Sequence, residues 1–327
     1  YLPAEKLAIA QKGYEGIKQQ FIKVENGQTN LHGTVKVSGL GGKPYRDGSF
    51  EYYMSEPVIV NDPKGVGAFL LAASEMERAA SFNLARGKVV ALDNWFNRET
   101  KTDAFGRKVI WHYKWYEYDH PGFLVFGRAF SNNGARLASI EEPTKASLQH
   151  ADVYIIVDPD QPKENPAPNY IEQKHIDAIA DWVKEGGVLL LMGNDSANAE
   201  FDHFNKLAAT FGIQFERNCV NRVDGTQWEM GAVTIPEKNE VFKNISKVYL
   251  KEISTLQLQS PARPLITQNG QVIMAVARYG KGTVFAVGDP WLYNEYVDGR
   301  RLPLEYENHR AANDLATWLL QQTKRKK

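Results

Sequence analysis

Four short polar segments hold the side chains best placed to do chemistry in this 327-residue chain. Asp93, Asn94 and Asn97 follow one apolar run, and Asp158-Pro159-Asp160 follows a second. Gly193-Asn194-Asp195-Ser196 and Gly288-Asp289-Pro290 follow two more. In an open parallel sheet, ligands collect outside the carboxyl ends of the strands, where these segments fall. Asp93, Asn94, Asn97, Asn194, Asp195 and Asp289 are therefore a candidate ligand rim, suited to a cation or to the hydroxyls of a sugar. Asp, Asn and Gly also cap helices and turn loops, so an architectural role competes at each position.

Other chemistries find less support. A nucleophile on a strand–turn–helix needs small neighbours, as in G-x-S-x-G. The comparable turn, Met192-Gly193-Asn194-Asp195-Ser196-Ala197, has no Cys, and Ser196 lacks the flanking glycines. The single cysteine, Cys219, has no internal disulfide partner and lies after a later strand. Residues 39–42 lack the spacing of a dinucleotide fingerprint and open no helix. None of the seven His pairs at i, i+4 with another around a glutamate, so a zinc hydrolase site is not expected. His175 reads as packed on its helix. No catalytic residue, metal or cofactor is assigned.

Aromatics offer a second hint. Trp111, Tyr113, Trp115, Tyr116 and Tyr118 crowd around His112 and His120. Their alternation suits one face of a strand; exposed, they would form a platform on which sugar rings stack.

Two units must position these groups. All seven Trp lie after residue 94, whereas residues 1–87 are Gly-rich, so the join falls in the polar stretch 78–88. Leu7, Ala10, Tyr14, Ile17 and Phe21 give a first helix one apolar stripe, and residues 65–78 a second. Between them, 31–37 alternates, 39–42 turns, and 50–54 reads as aromatic and extended. Two helices and a long loop enclose no core, so this unit needs other surface to pack on. From 88 onward strands alternate with helices. Strands are expected near 89–92, 136–140, 153–157, 188–192 and 213–215, and helices over 123–130, 171–184, 201–211 and 311–322. Residues 220–270 read as irregular β, and 272–287 as a hairpin. The expectation is an α/β fold with a doubly wound, mostly parallel sheet.

Composition narrows the partners. The 39 basic and 39 acidic side chains cancel, which argues against nucleic acid or an anionic membrane surface as partner. No apolar run reaches membrane-spanning length. The opening Tyr1-Leu2-Pro3, without Met or leader, reads as a cut end.

One long run carries a resemblance. Ser38-Gly39-Leu40-Gly41-Gly42-Lys43-Pro44-Tyr45-Arg46-Asp47-Gly48-Ser49-Phe50-Glu51-Tyr52-Tyr53 resembles the C-terminal part of glycoside hydrolase family 105, the unsaturated rhamnogalacturonyl hydrolases related to family 88. Ser55-Glu56-Pro57 and Asn61-Asp62-Pro63-Lys64-Gly65-Val66-Gly67-Ala68-Phe69-Leu70-Leu71-Ala72 extend it over about residues 1–85. The resemblance implies that 1–87 is the last piece of an (α/α)6 barrel, with the missing barrel portion or another chain packing on it. It implies a pectic oligosaccharide bearing an unsaturated uronate as substrate, and residence in the periplasm or outside the cell. The family's catalytic Asp lies in earlier helices and maps onto no residue here, so the fragment is expected to be inactive alone. Tyr45, Arg46, Asp47 and Tyr53 are the implied rim of the sugar site, with Arg46 suited to a uronate carboxylate; an internal Arg46–Asp47 pair is the competing reading.

Residues 88–327 resemble, more weakly, the flavodoxin-like class I glutamine-amidotransferase domains that lack catalytic residues. Val89-Val90-Ala91-Leu92-Asp93, Gly186-Gly187-Val188-Leu189-Leu190-Leu191 and Gly282-Thr283-Val284-Phe285-Ala286-Val287-Gly288-Asp289 carry that likeness. Asn194 or Asp195 stands where an active enzyme would place Cys. The alternative to a glycosidase portion is a non-catalytic module binding carbohydrate or protein.

Overall fold

Val153–Val157 and Val188–Met192 are buried at every position, the pattern of parallel strands covered on both faces. They lie at the centre of a nine-stranded sheet. The computed structural model describes residues 4–324. The chain forms two compact units, Tyr1–Ser81 and Phe82–Lys327.

The sheet belongs to the second unit. Its strands, in chain order, are β1 (Val89–Asp93), β2 (Arg136–Ile140), β3 (Val153–Val157), β4 (Val188–Met192) and β5 (Ile213–Phe215). They continue as β6 (Leu256–Leu258), β7 (Ala262–Gln268), β8 (Gln271–Tyr279) and β9 (Gly282–Val287). Across the sheet the order is β5-β6-β8-β9-β4-β3-β1-β2, with β7 also paired to β8. The neighbours β2-β1-β3-β4-β9 are all parallel. From β9 outward every pairing is antiparallel, starting with the β8–β9 hairpin.

Alternation along the strands builds two cores. Val90, Leu92, Ile155, Leu190 and Phe285 face helices Leu124–Asn132 and Asn308–Gln322. Ala91, Tyr154, Ile156, Leu189 and Leu191 face helices Gln173–Lys184 and Phe201–Ala209. The helix joining β1 to β2 covers one face and the helix joining β3 to β4 the other. That is the consequence of right-handed crossovers running in opposite directions from the β1–β3 boundary. The order in which strands are added thus reverses between β1 and β3, and a crevice opens beyond their carboxyl ends.

The first unit has helices Ala4–Phe21 and Pro63–Ser81, a hairpin of Ile22–Glu25 with Gln28–Leu31, and a second pair of Thr34–Val35 with Val58–Ile59. Tyr14 stacks on Phe69, ring centroids 5.4 Å apart, joining the two helices. Among the described residues of this unit no apolar side chain is buried. Residues 50–54, expected to be extended, form the helix Phe50–Ser55 instead. Ser49 caps it, its Oγ accepting from the Tyr52 amide at 3.1 Å, and local capping outweighs the strand preference of the aromatics.

Candidate functional site at the sheet edge

Asp93, the last residue of β1, is fully buried and fully engaged. Its Oδ2 accepts from the amides of Trp95, Phe96 and Asn97, and its Oδ1 accepts from the Tyr154 hydroxyl at 2.7 Å. Burial raises its carboxyl above the ordinary range, against the pull of Tyr154 and Lys114. Asp93 is therefore a cap for the turn after β1, with no oxygen left for a ligand. Beside it the Lys114 ammonium, also fully buried, donates to Asn97 O at 2.7 Å and to Asn97 Oδ1 at 2.9 Å. Burial lowers Lys114 to about 8. Asn97 in turn donates to the Asp158 carbonyl at 2.9 Å, tying the β1 turn to the β3 turn.

Beyond this scaffold lies a pocket of about 210 Å³ at the carboxyl ends of β3, β4 and β9. Asp158, Asn194 and Asp289 reach it from those three ends, and the loop residues His112, Tyr113, Lys251 and Tyr293 close its sides. Asn194 donates to Asp158 Oδ2 at 3.1 Å. Asp158 Oδ1 and Asp289 Oδ1, both buried, have no hydrogen-bond partner. Burial raises Asp158 to about 7. It holds Asp289 well above the carboxylate range, and Asp158 pushes the same way while Lys251 opposes. Burial thus holds both carboxyls toward their neutral forms, with Asp158 poised near its midpoint at neutral pH, a perturbation that functional sites often show. His112 works against its own burial: Glu99, 2.5 Å from Nδ1, raises it above its ordinary value.

Backbone geometry singles out the same residues. Among the described residues, nine non-glycine residues have positive φ, and five of them are Asn, which tolerates that region. The other four are His112, Tyr113, Asp158 and Glu252, and all four line this pocket. Such conformations persist only where surrounding structure enforces them, and they gather at functional sites.

The rim residues thus separate by role. Asn194 and Asp289 enter the pocket, whereas Asp93, Asn97 and Asp195 serve the architecture; Asp195 caps Ala197 N and Asn198 Nδ2. Asn94 is buried on the β2 side, its Nδ2 3.5 Å from Glu141. Asp160 accepts from Arg98 N and Asn165 Nδ2, both at 2.8 Å, and burial raises it to about 6. His112 and Tyr113 come from the aromatic segment that the sequence marks, whereas Lys251, Glu252 and Tyr293 belong to no motif, and no spacing rule connects them. The aromatic segment is neither a strand face nor an exposed platform. Residues 111–118 are irregular backbone with a bend at 112–113 and a turn at 115–116; Tyr113 and Trp115 are buried and Tyr116 and Tyr118 exposed. Glu117 enforces that course by accepting from the amides of His112 and Lys114. No group of three or more His, Cys, Asp or Glu among the described residues is placed to hold a metal ion.

In the first unit Tyr45 and Tyr53 are exposed on or beside the glycine-rich loop. Arg46 does not pair with Asp47; its Nε lies 3.8 Å from Glu56 Oε1. Asp47 Oδ1 accepts from Ser49 N at 2.9 Å, a bond that holds its carboxyl below the ordinary range.

Residues 1–80 match the sequence profile of Glycosyl Hydrolase Family 88. Protein Atu3128 of Agrobacterium fabrum is 49% identical over 53 residues, 16% of this chain and 23% of that protein. The chain therefore spans about a quarter of the curated relative it matches. A family 105 glycoside hydrolase of C. acetobutylicum ATCC 824 is 49% identical across 22% of this chain and 21% of its own, with a TM-score of 0.22. The mmIFT52 N-terminal domain superposes on 71% of this chain and 97% of its own length with a TM-score of 0.53 at 14% identity, a likeness of fold alone. Taken together, the chain is a mixed α/β protein whose first 80 residues are related to the family 88 glycoside hydrolases.

Proposed function

We propose that this chain serves the breakdown of pectic oligosaccharides ending in an unsaturated uronate. In this reading residues 1–87 are the closing portion of a glycoside hydrolase domain of the family 105 kind, and 88–327 are an accessory α/β unit that binds a ligand and performs no glutaminase chemistry. The family match over residues 1–80 carries the reading. Two observations support its second half. The parallel strands run in the order β2-β1-β3-β4-β9, the 2-1-3-4-5 order of flavodoxin-like sheets. The turn after β4 presents Asn194, not a thiol.

The loop carboxylate Asp47 is not suited to protonating a vinyl ether. A general acid needs a raised pKa, and the loop carboxylate Asp47 is lowered. Tyr45, Arg46, Asp47 and Tyr53 are read as a binding rim, with the Arg46 guanidinium receiving the uronate carboxylate. The test is calorimetric titration of the chain with unsaturated rhamnogalacturonan disaccharide, alongside the vinyl-ether absorbance. Binding without turnover is expected. Arg46→Ala should weaken it about tenfold, the loss of one charge-assisted hydrogen bond. Turnover by this chain alone would defeat the non-catalytic half of the reading, and absence of uronate binding the other half.

A second reading, a carbohydrate-binding module without a glycosidase role, is favoured by one observation. The sheet-edge pocket is completed wholly by side chains of the second unit. Tryptophan fluorescence separates the readings: under the second, neutral oligosaccharides perturb it and Arg46→Ala has no effect.

A further inference from the structure

We infer that the sheet-edge pocket binds a single uncharged, hydroxyl-rich ring, a neutral sugar residue or cyclic polyol, and rejects uronates. The inference rests on the pocket being a ligand site and narrows the ligand to one charge class.

Hydrogen-bonding capacity comes first. Asp158 and Asp289 line the pocket with only 5% and 3% of their surfaces exposed, and one oxygen of each has no partner. A buried acceptor left unmade costs about 1–3 kcal/mol, so two on one wall call for a donor-rich occupant. Hydroxyl groups supply donors without bringing charge.

Charge comes second. Glu164 and Glu252 join the lining and oppose an anion, whereas burial holds Asp158 and Asp289 toward their neutral forms. Lys251 sits on the same wall, 3.2 Å from Glu252, and His112 is held toward its charged form by Glu99, so an ammonium ligand meets positive groups too. A wall of both signs suits a group that donates and accepts at each hydroxyl. It also differs from the Arg46 loop, whose guanidinium lies beside the Glu56 carboxylate.

Shape comes third. The cavity of about 210 Å³ has room for a sugar ring and is open to solvent. Of the two lining tyrosines, Tyr113 is buried with the His112 ring stacked on it, and Tyr293 is the part-exposed one.

The test is calorimetric titration of the full chain at pH 7 with four probes: a neutral aldohexose, a neutral deoxyhexose, galacturonate and glucosamine. At least one neutral sugar should bind, and galacturonate should bind at the pocket at least about tenfold more weakly. Asp158→Asn and Lys251→Ala should each weaken the neutral sugar about tenfold, one charge-assisted hydrogen bond. Lys251 is partly exposed, so that variant remains informative if the buried change perturbs folding, and the thermal transition of each variant is recorded. Binding of glucosamine alone would overturn the inference in favour of a cation site. Uronate binding lost in both pocket variants, no binding by either neutral sugar, or neutral-sugar binding untouched by either change would overturn it as well. Uronate binding that depends on Arg46 but not on Asp158, with no binding by a neutral sugar, leaves the pectic reading standing and overturns the pocket inference; neutral-sugar binding that depends on Asp158, with no uronate binding, does the reverse.

Discussion

Replacing Asp158 with Asn should make the unliganded protein more stable at alkaline pH. The folded protein holds the Asp158 proton far more tightly than the unfolded chain, about 7 against 3.8. Folding therefore takes up a proton between those values. The contribution is fully present below about pH 4, declines as pH rises through the folded pKa, and is lost above it. About three units of difference correspond to about 4 kcal/mol, the cost of keeping the ionised carboxylate buried at pH 8. Asn has the same shape and no charge, and its amide oxygen can accept the bond Asn194 now gives to Oδ2. The amide NH2 then fills the position of the unpartnered Oδ1, returning about 1–2 kcal/mol of that gain. The net expectation is about 2 kcal/mol of added stability at pH 8 and about none at pH 5. Urea denaturation at pH 5, 6.5 and 8, followed by tryptophan fluorescence, measures it, since all seven Trp lie in the second unit. For a unit of this size the gain corresponds to roughly 4–8 °C in Tm. An Asp158→Asn protein less stable at pH 8, with the slope between pH 5 and 7 unchanged, would refute the burial argument. Stability gained where ligand affinity is lost is the signature of a group kept for function.

Three further outcomes follow from the same packing. Lys114→Ala should cost about 3–5 kcal/mol, because it strands the oxygens of Asn97 and leaves Asp93 without its buried cation. It should also abolish the rise in wild-type stability expected between pH 8 and 10.5, where the unfolded chain still holds the lysine proton that the folded protein has released; thermal unfolding across that range reads both. Asp93→Ala should cost about 3 kcal/mol or more, since three backbone amides and the Tyr154 hydroxyl lose their acceptor; an unchanged urea midpoint would show that the cap is dispensable. Gly134→Ala should cost at least about 2 kcal/mol, for Gly134 has φ of +90° and a Cβ there would sit 1.9 Å from the Phe82 carbonyl oxygen; a Tm within a degree of wild type would contradict it.

Where a residue's fate is decided by near neighbours or by repetition, it was legible. Every residue of β3 and β4 is apolar, and only a strand covered on both faces uses such a run, so the central sheet could be read directly. The 3.6-residue spacing of Ile176, Ile179 and Val183 placed the helix between them. Phe50–Ser55 is a helix because one serine cap outweighs the strand preference of Phe50, Tyr52 and Tyr53, a contest that propensity alone does not settle. The aromatic alternation at 111–118 imitated a strand, while Glu117 bends that segment by accepting two amides.

The sequence by itself determined which polar residues stand at the ends of the strands. It did not determine what each does there. Asp93 and Asp289 look alike in sequence, each closing an apolar strand. Tertiary structure surrounds Asp93 with three amides and a tyrosine hydroxyl and leaves Asp289 buried with an oxygen unpaired, facing Asp158 and Lys251. His112, Tyr113, Lys251 and Tyr293 join them from loops up to some 180 positions apart. The physical reason is that strand position follows from local apolar pattern, whereas burial, charge compensation and an unfilled hydrogen bond depend on partners that only the folded chain brings within a few ångströms.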